Sequence, residues 1–266
     1  MPANLVQTIC FSPTRTTARI VAAIARGTQL PAAEPLDLTP PEARTRRSEA
    51  AQDALAIIGA PVYGGRIPPE ATLRLRRLRA HETPAGIVVV YGNRAYEDAL
   101  LELRDLVIEQ GFIPIAAAAF VGEHSYSTEV MPIAHGRPDA LDLAQAQEFG
   151  ALVRGKLATP SALHQPPPLQ VPGSYPHREW IPPTDVAPIT NEALCVRCGD
   201  CARACPTAAI AIGEVVLTDP AACILCTACV KTCPTGARTW DHPRISRSRE
   251  WLSTNCRERK SPELYV

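Results

Sequence analysis

The chain carries no surplus of charge: 27 Lys and Arg stand against 27 Asp and Glu in 266 residues. That balance removes any global argument for nucleic acid or an anionic membrane surface as a partner. Long apolar runs are also missing. The longest, such as Ile113 to Val121, reach about nine residues, where a membrane-spanning helix needs roughly twenty. No membrane span is expected. Met1 to Ile9 lack a basic stretch followed by an apolar core and a cleavage motif, so no signal peptide is expected either. Absent too, after the first predicted strand, is the G-x-G-x-x-G turn of a dinucleotide site.

Cysteine, by contrast, is concentrated. Nine of the ten cysteines follow residue 194, and eight of them form two copies of C-x-x-C-x-x-C-x-x-x-C-P. These are Cys195, Cys198, Cys201 and Cys205 before Pro206, and Cys223, Cys226, Cys229 and Cys233 before Pro234. A disulfide framework has no reason to repeat such a spacing, whereas an iron–sulfur cluster does, because closely spaced thiolates wrap one corner of a cubane. Structural zinc favours paired C-x-x-C knuckles instead of triplets. The expected compartment is reducing, hence cytoplasmic. Ile189 to Trp240 resembles the bacterial two-cluster ferredoxins, with Ile210, Ile212, Val215 and Val216 as a short shielding hairpin. The resemblance implies two 4Fe-4S clusters with exchanged fourth ligands. One would take Cys195, Cys198, Cys201 and Cys233; the other, Cys223, Cys226, Cys229 and Cys205.

Proline marks the boundary between domains. Thr159 to Pro188 contains nine prolines and reads as an extended, semi-rigid connector. The expected division is residues 1–158, connector 159–188, cluster domain 189–240 and tail 241–266. The cluster domain lacks apolar bulk and needs its metal to fold.

Before the connector, strand and helix signals alternate. Leu5–Phe11, Leu36–Leu38, Ala54–Ala60, Ile87–Tyr91 and Ile113–Val121 read as strands. Thr17–Arg26 reads as a helix stopped by Gly27, and a second helix starts near Pro68 and Pro69. Glu97–Gln110 and Asp139–Lys156 are two more. Buried strands joined by helices predict an α/β fold: a five-stranded parallel sheet covered on both faces, followed by a small α+β cluster domain. Ligands belong at the carboxyl ends of such strands.

The loops at those ends carry the candidate site. S-P-T-R-T-T, Ser12 to Thr17, follows the first strand and opens a helix, where hydroxyls and backbone N–H groups can cradle phosphate. P-V-Y-G-G-R spans Pro61 to Arg66, and Y-G-N-R-A-Y spans Tyr91 to Tyr96. A further loop, G-E-H-S-Y-S, runs from Gly122 to Ser127. These loops resemble those of flavodoxins, whose phosphate loop reads S/T-x-T-G-x-T; Arg15 stands where that pattern has glycine. The resemblance implies FMN. Its phosphate would lie on Ser12, Thr14, Arg15, Thr16 and Thr17. Its ring would lie among Pro61, Val62, Tyr63, Gly64, Gly65, Tyr91, Gly92, Asn93, Arg94 and Tyr96. Tyr63 and Tyr96 would stack, and His124 would serve as hydrogen-bond donor or proton shuttle.

Taken whole, the chain is similar to the flavodoxin–ferredoxin fusions called flavoferredoxins or EFR-type ferredoxins. That resemblance implies electron transfer between FMN and two 4Fe-4S clusters, relaying low-potential electrons between redox proteins such as a ferredoxin, a flavodoxin or a reductase. The alternative is a flavin-dependent reductase of a small substrate faced by His124, Glu123, Arg66 and Arg94. Cys10 and Cys256 read as small buried residues. Arg74, Arg76, Arg77 and Arg79 read as a basic helix face, and the tail as a basic segment packed across the domain junction, where it and the connector hold the cluster half over the sheet.

Overall fold

The computed structural model describes residues 3–157, 169–179, 181 and 185–266. Its first half runs β1 (Leu5–Cys10), α1 (Thr16–Gly27), β2 (Leu36–Asp37), β3 (Ser48–Glu49), β4 (Ala54–Pro61) and α2 (Pro69–Leu75). It continues with β5 (Leu78–Arg79), β6 (Thr83–Tyr91), α3 (Ala99–Glu109), β7 (Phe112–Val121) and α4 (Ala140–Leu157). The cluster half holds β8 (Ile189–Thr190), α5 (Asp200–Arg203), β9 (Ile210–Ile212), β10 (Val216–Thr218), α6 (Ala228–Lys231) and β11 (Arg238–Thr239). The tail forms α7 (Pro243–Asn255) and β12 (Glu263–Tyr265).

The strands expected from the sequence pair in parallel in the order β2-β1-β4-β6-β7. That is the flavodoxin-like doubly wound order, whose switch point lies between β1 and the next long strand, here β4. The pleat divides the core. On β4, Leu55 and Ile57 face α1 and α4, while Ala56, Ile58 and Ala60 face α2 and α3. The α1–α4 contact depends on two glycines. A Cβ on Gly27 would lie 1.9 Å from the Gln147 carbonyl oxygen, and one on Gly150 would lie 2.0 Å from that of Ile24. Gly27 is thus the last residue of α1, placed there by close approach, rather than its stop signal; Thr28 is the cap.

The sheet has one strand more than the five expected. β12 pairs antiparallel with β7 through Glu263–Ala119, Leu264–Ala118 and Tyr265–Ala117. The exposed β7 edge offers unpaired N–H and C=O groups, and the tail fills part of it. Three residues are too few to show a strand period, so this strand is not among those expected from the sequence.

Residues 158–168, 180 and 182–184, within or bordering the predicted connector, lie outside the described residues. Its described part has no regular element and runs along α3. Asp98 accepts the Ser174 N–H at 2.8 Å and the Arg178 N–H at 2.7 Å, and Arg104 donates to the Leu169 carbonyl at 3.1 Å.

The cluster half has a small core in which Cys201, Cys205 and Cys229 pack with Ala209, Ile210 and Val216. Only Ile210 and Val216 of the expected hairpin shield it; Ile212 is 40% and Val215 47% exposed. Alternation along so short a hairpin turns half of its side chains outward.

Candidate functional site

The loop after β1 turns sharply into α1. Arg15 takes φ +66° and ψ −2°, a left-handed conformation that is costly for a residue with a Cβ. The glycine of the flavodoxin pattern is explained: the turn demands positive φ, and Arg15 bears the strain. Its side chain points away, toward Asp37 at 3.4 Å. Ser12 serves the turn itself, its Oγ accepting the Ala18 N–H at 3.0 Å. The Thr14 and Thr16 hydroxyls converge at 3.4 Å, and the Thr17 hydroxyl is buried without a partner. Among the described residues the N–H groups of Thr14, Thr16 and Thr17 find no acceptor. Unpaired donors at the first turn of a twelve-residue helix suit a phosphate.

The loop after β4 is a two-residue reversal. Tyr63 and Arg66 exchange backbone hydrogen bonds of 2.9 and 3.1 Å, with Gly64 at φ +60° and Gly65 at φ +84° between them. Two successive positive φ values explain the paired glycines. Arg66 turns off the site, held by Glu102 at 2.7 and 3.0 Å. In the loop after β6, Gly92 makes room for a neighbour: a Cβ there would meet the His124 ring at 2.3 Å. His124 Nδ1 accepts the Tyr126 N–H at 3.0 Å, so the neutral ring carries its proton on Nε2. Burial, aided by the Lys231 and Arg94 charges, pushes its pKa down to about 4. The ring is therefore neutral at pH 7.

These loops open onto one cavity of about 600 Å³. It is lined by ten of the sixteen expected residues: Thr14, Thr16, Pro61, Val62, Tyr63, Gly64, Tyr91, Gly92, Arg94 and His124. Ser12, Arg15, Thr17, Gly65, Asn93 and Tyr96 are not among its lining residues. Asn93 instead splints the tail, donating to the carbonyls of Cys256 and Glu258 at 2.8 Å each. The Tyr96 ring packs 5.4 Å from Tyr91, and its hydroxyl meets Glu263 at 2.7 Å and Tyr265 at 2.8 Å.

Val90, Gly122, Glu123, Ser125 and Tyr126 add to it from the same strand ends, and the remaining lining comes from far along the sequence. Ile224 and Leu225 enter from the cluster half, and Arg244, Ile245, Arg247, Ser248, Trp251 and Leu252 from α7. The spacing of 244, 245, 248, 251 and 252 is one helical face, a signal present in the sequence but masked by the basic residues beside it. Ile245 and Leu252 are buried, whereas Trp251 is 53% exposed.

Several contacts hold the halves together here. Thr227 donates to the Ser125 carbonyl at 3.0 Å, Arg249 to the Tyr126 carbonyl at 2.9 Å, and Lys231 pairs with Glu123. Trp240 meets Tyr126 edge-on at 5.9 Å. Arg74, expected on a solvated face, is buried and donates to the Pro206 carbonyl at 2.5 Å.

The eight cysteines surround two smaller cavities. Cys195, Cys198, Cys201 and Cys233 line one; Cys205, Cys223, Cys226 and Cys229 line the other. Among the described residues no three His, Cys, Asp or Glu side chains gather on a single-ion site; the thiols enclose spaces, as a cubane requires. Ile224 lines both the second of these and the large cavity. Burial pushes the Tyr63 phenol pKa upward, with Cys226, Tyr126 and Cys223 adding to the shift. All ten cysteines are free.

The 4Fe-4S dicluster domain family matches residues 194–237. No curated protein matches the sequence. Among solved structures, the chain is similar to a flavodoxin of Streptococcus pneumoniae at 15% identity, covering 57% of this chain and 99% of that one with a TM-score of 0.39. It is similar to the Fusobacterium nucleatum flavodoxin bound to flavin mononucleotide at 13% identity, over 57% and 98%, TM-score 0.35. With rubredoxin oxygen:oxidoreductase of Desulfovibrio gigas the identity is 12%, the coverage 59% and the TM-score 0.40, and the chain spans only 36% of that protein. Among the described residues no helix is long and apolar enough to cross a membrane. Strand order gives the chain a flavodoxin-like sheet, and the cysteine pattern that follows it lies in a segment matching the 4Fe-4S dicluster domain family.

Proposed function

We propose that the protein transfers electrons between FMN in the large cavity and two 4Fe-4S clusters in the cysteine cavities, relaying them to separate redox proteins in the cytoplasm. A bound flavin exchanges electrons singly or in pairs and each cluster one at a time. The observation that carries this reading is the shared wall at Ile224, which sets the large cavity beside the cavity of Cys205, Cys223, Cys226 and Cys229. That cluster would be the inner one. The other, whose Cys198 is exposed, would be the outer one, where a ferredoxin, flavodoxin or reductase meets the chain. Thr14, Thr16 and the free N–H groups beside them would hold the phosphate. Residues 1–158 would form the flavin half, 159–188 the connector and 189–240 the cluster half. The reductase alternative has less support, because Arg66 is bound to Glu102 and Glu123 to Lys231.

Protein purified without oxygen tests this reading directly. It should hold about eight irons per chain and one acid-releasable FMN. Zinc without iron, or no flavin after reconstitution, would overturn it. Cys205→Ser should damage the cluster whose other ligands are Cys223, Cys226 and Cys229; damage to its neighbour instead would reverse the crossed assignment.

A further inference from the structure

Arg238 lies in β11, five residues after Cys233, and is 2% exposed. Its guanidinium donates to the Thr190 hydroxyl at 2.6 Å, the Thr218 hydroxyl at 2.5 Å and the Cys229 sulfur at 3.8 Å. The same residue lines the cavity of Cys195, Cys198, Cys201 and Cys233. One residue therefore touches both cysteine sets.

No carboxylate accepts from this guanidinium among the described residues. A cation taken out of water costs several kcal/mol unless an opposite charge faces it. Two threonine hydroxyls orient it but do not neutralise it. The compensating charge must come from what the cysteines hold, and thiolate-ligated clusters are anionic. A charge acts on every site its field reaches, and a guanidinium anchored between two cysteine cavities lies close to both.

Resting on the two-cluster reading above, we propose that Arg238 is a shared counterion of both clusters and holds their two reduction potentials up together. Reduction adds negative charge to a cluster, and a fixed cation beside it favours the reduced form. Removing that cation must lower both midpoints. Arg238 is a tuning residue and makes no iron ligand bond.

The test uses the full chain, loaded anaerobically, with iron counted and both clusters titrated potentiometrically by EPR. Arg238→Met keeps the volume and removes the charge. Iron retained, with each reduction equilibrium weakened at least tenfold (about 59 mV for a one-electron couple), is the expected result. Arg238→Lys should fall between Met and wild type. Iron retained with either midpoint unmoved in Arg238→Met would overturn the proposal. Should that variant lose iron, Thr190→Val with Thr218→Val releases the guanidinium without touching a cysteine. Both midpoints should then shift in the same direction, and a shift in one alone or in neither would sink the idea. Wild-type protein without two EPR-active clusters would refute the underlying reading instead.

Discussion

Arg74→Met isolates what one buried cation does for the joint between the two halves. The side chain lies in the last turn of α2 with no exposed surface, 5.0 Å over the Phe11 ring. It donates to the Pro206 carbonyl at 2.5 Å and the Thr39 carbonyl at 3.3 Å, and pairs with Glu70 at 3.6 Å. Hydrogen bonds from a charged donor contribute about 1.5–3 kcal/mol each, so the two together amount to roughly 3–6 kcal/mol. Burying methionine in place of a guanidinium returns about 2 kcal/mol of that. Glu70 keeps Arg44 at 3.4 Å on one oxygen, while its other oxygen, buried without a hydrogen bond, loses the cation beside it. The net loss should be about 1–4 kcal/mol, of which the Pro206 bond is the part that crosses between halves. Denaturant titration of the anaerobic full chain, followed by far-UV circular dichroism, measures the total. Rapid reduction of the clusters with the flavin observed measures the joint: flavin reduction should slow, yet stay independent of protein concentration. A stability change under about 0.5 kcal/mol would mean that desolvating the guanidinium costs as much as its bonds return, and the joint would have to be explained without it.

Thr14→Val with Thr16→Val should weaken FMN far more than riboflavin in a fluorescence titration, and equal weakening would indicate a collapsed loop. Trp251→Ala should weaken both ligands alike, by about tenfold, because a half-exposed indole on the cavity wall has ring surface to offer; unchanged affinity would make α7 a rim only. The pH prediction follows from His124, whose ordinary value of 6.5 falls to about 4 in the folded chain. Between those values the unfolded state binds more protons. Stability is therefore full above pH 6.5 and declines as pH falls toward 4, by at most about 3 kcal/mol at 1.36 kcal/mol per pH unit. His124→Gln should flatten that part of the curve, and an identical slope would assign the proton elsewhere.

The parts legible in sequence are those governed by local period or by covalent spacing. Ala54–Pro61 is buried along its whole length and reads as an interior strand from composition alone. The cysteine triplets are legible in their spacing, whereas the exchange of each fourth cysteine is an expectation that comes from the resemblance to two-cluster ferredoxins. What stayed hidden depends on partners far away in sequence. Tyr96 looks like a ring stacker until Glu263 and Tyr265 claim its hydroxyl. Asn93 looks like a cofactor residue until Cys256 and Glu258 come back to meet it. Arg74 was hidden for the opposite reason, since its neighbours Arg76, Arg77 and Arg79 suggest a uniformly solvated helix. The wall formed by α7 is the largest omission. Six of the lining residues lie in α7, so residues 1–158 alone form only part of the cavity wall.

The pairing of β12 with β7 changes how the two halves are joined. Two domains in tandem share one tether, and either can swing about it. Here the sheet receives strands from both sides of the cluster half, which becomes topologically an insertion between β7 and β12. It leaves the sheet through a connector bonded along α3 and returns through a strand. Closing a second tether keeps the detached halves at an effective concentration on the order of millimolar, so a lost contact re-forms within the same molecule. Cutting the chain before Asp241 would turn the insertion back into a tandem pair.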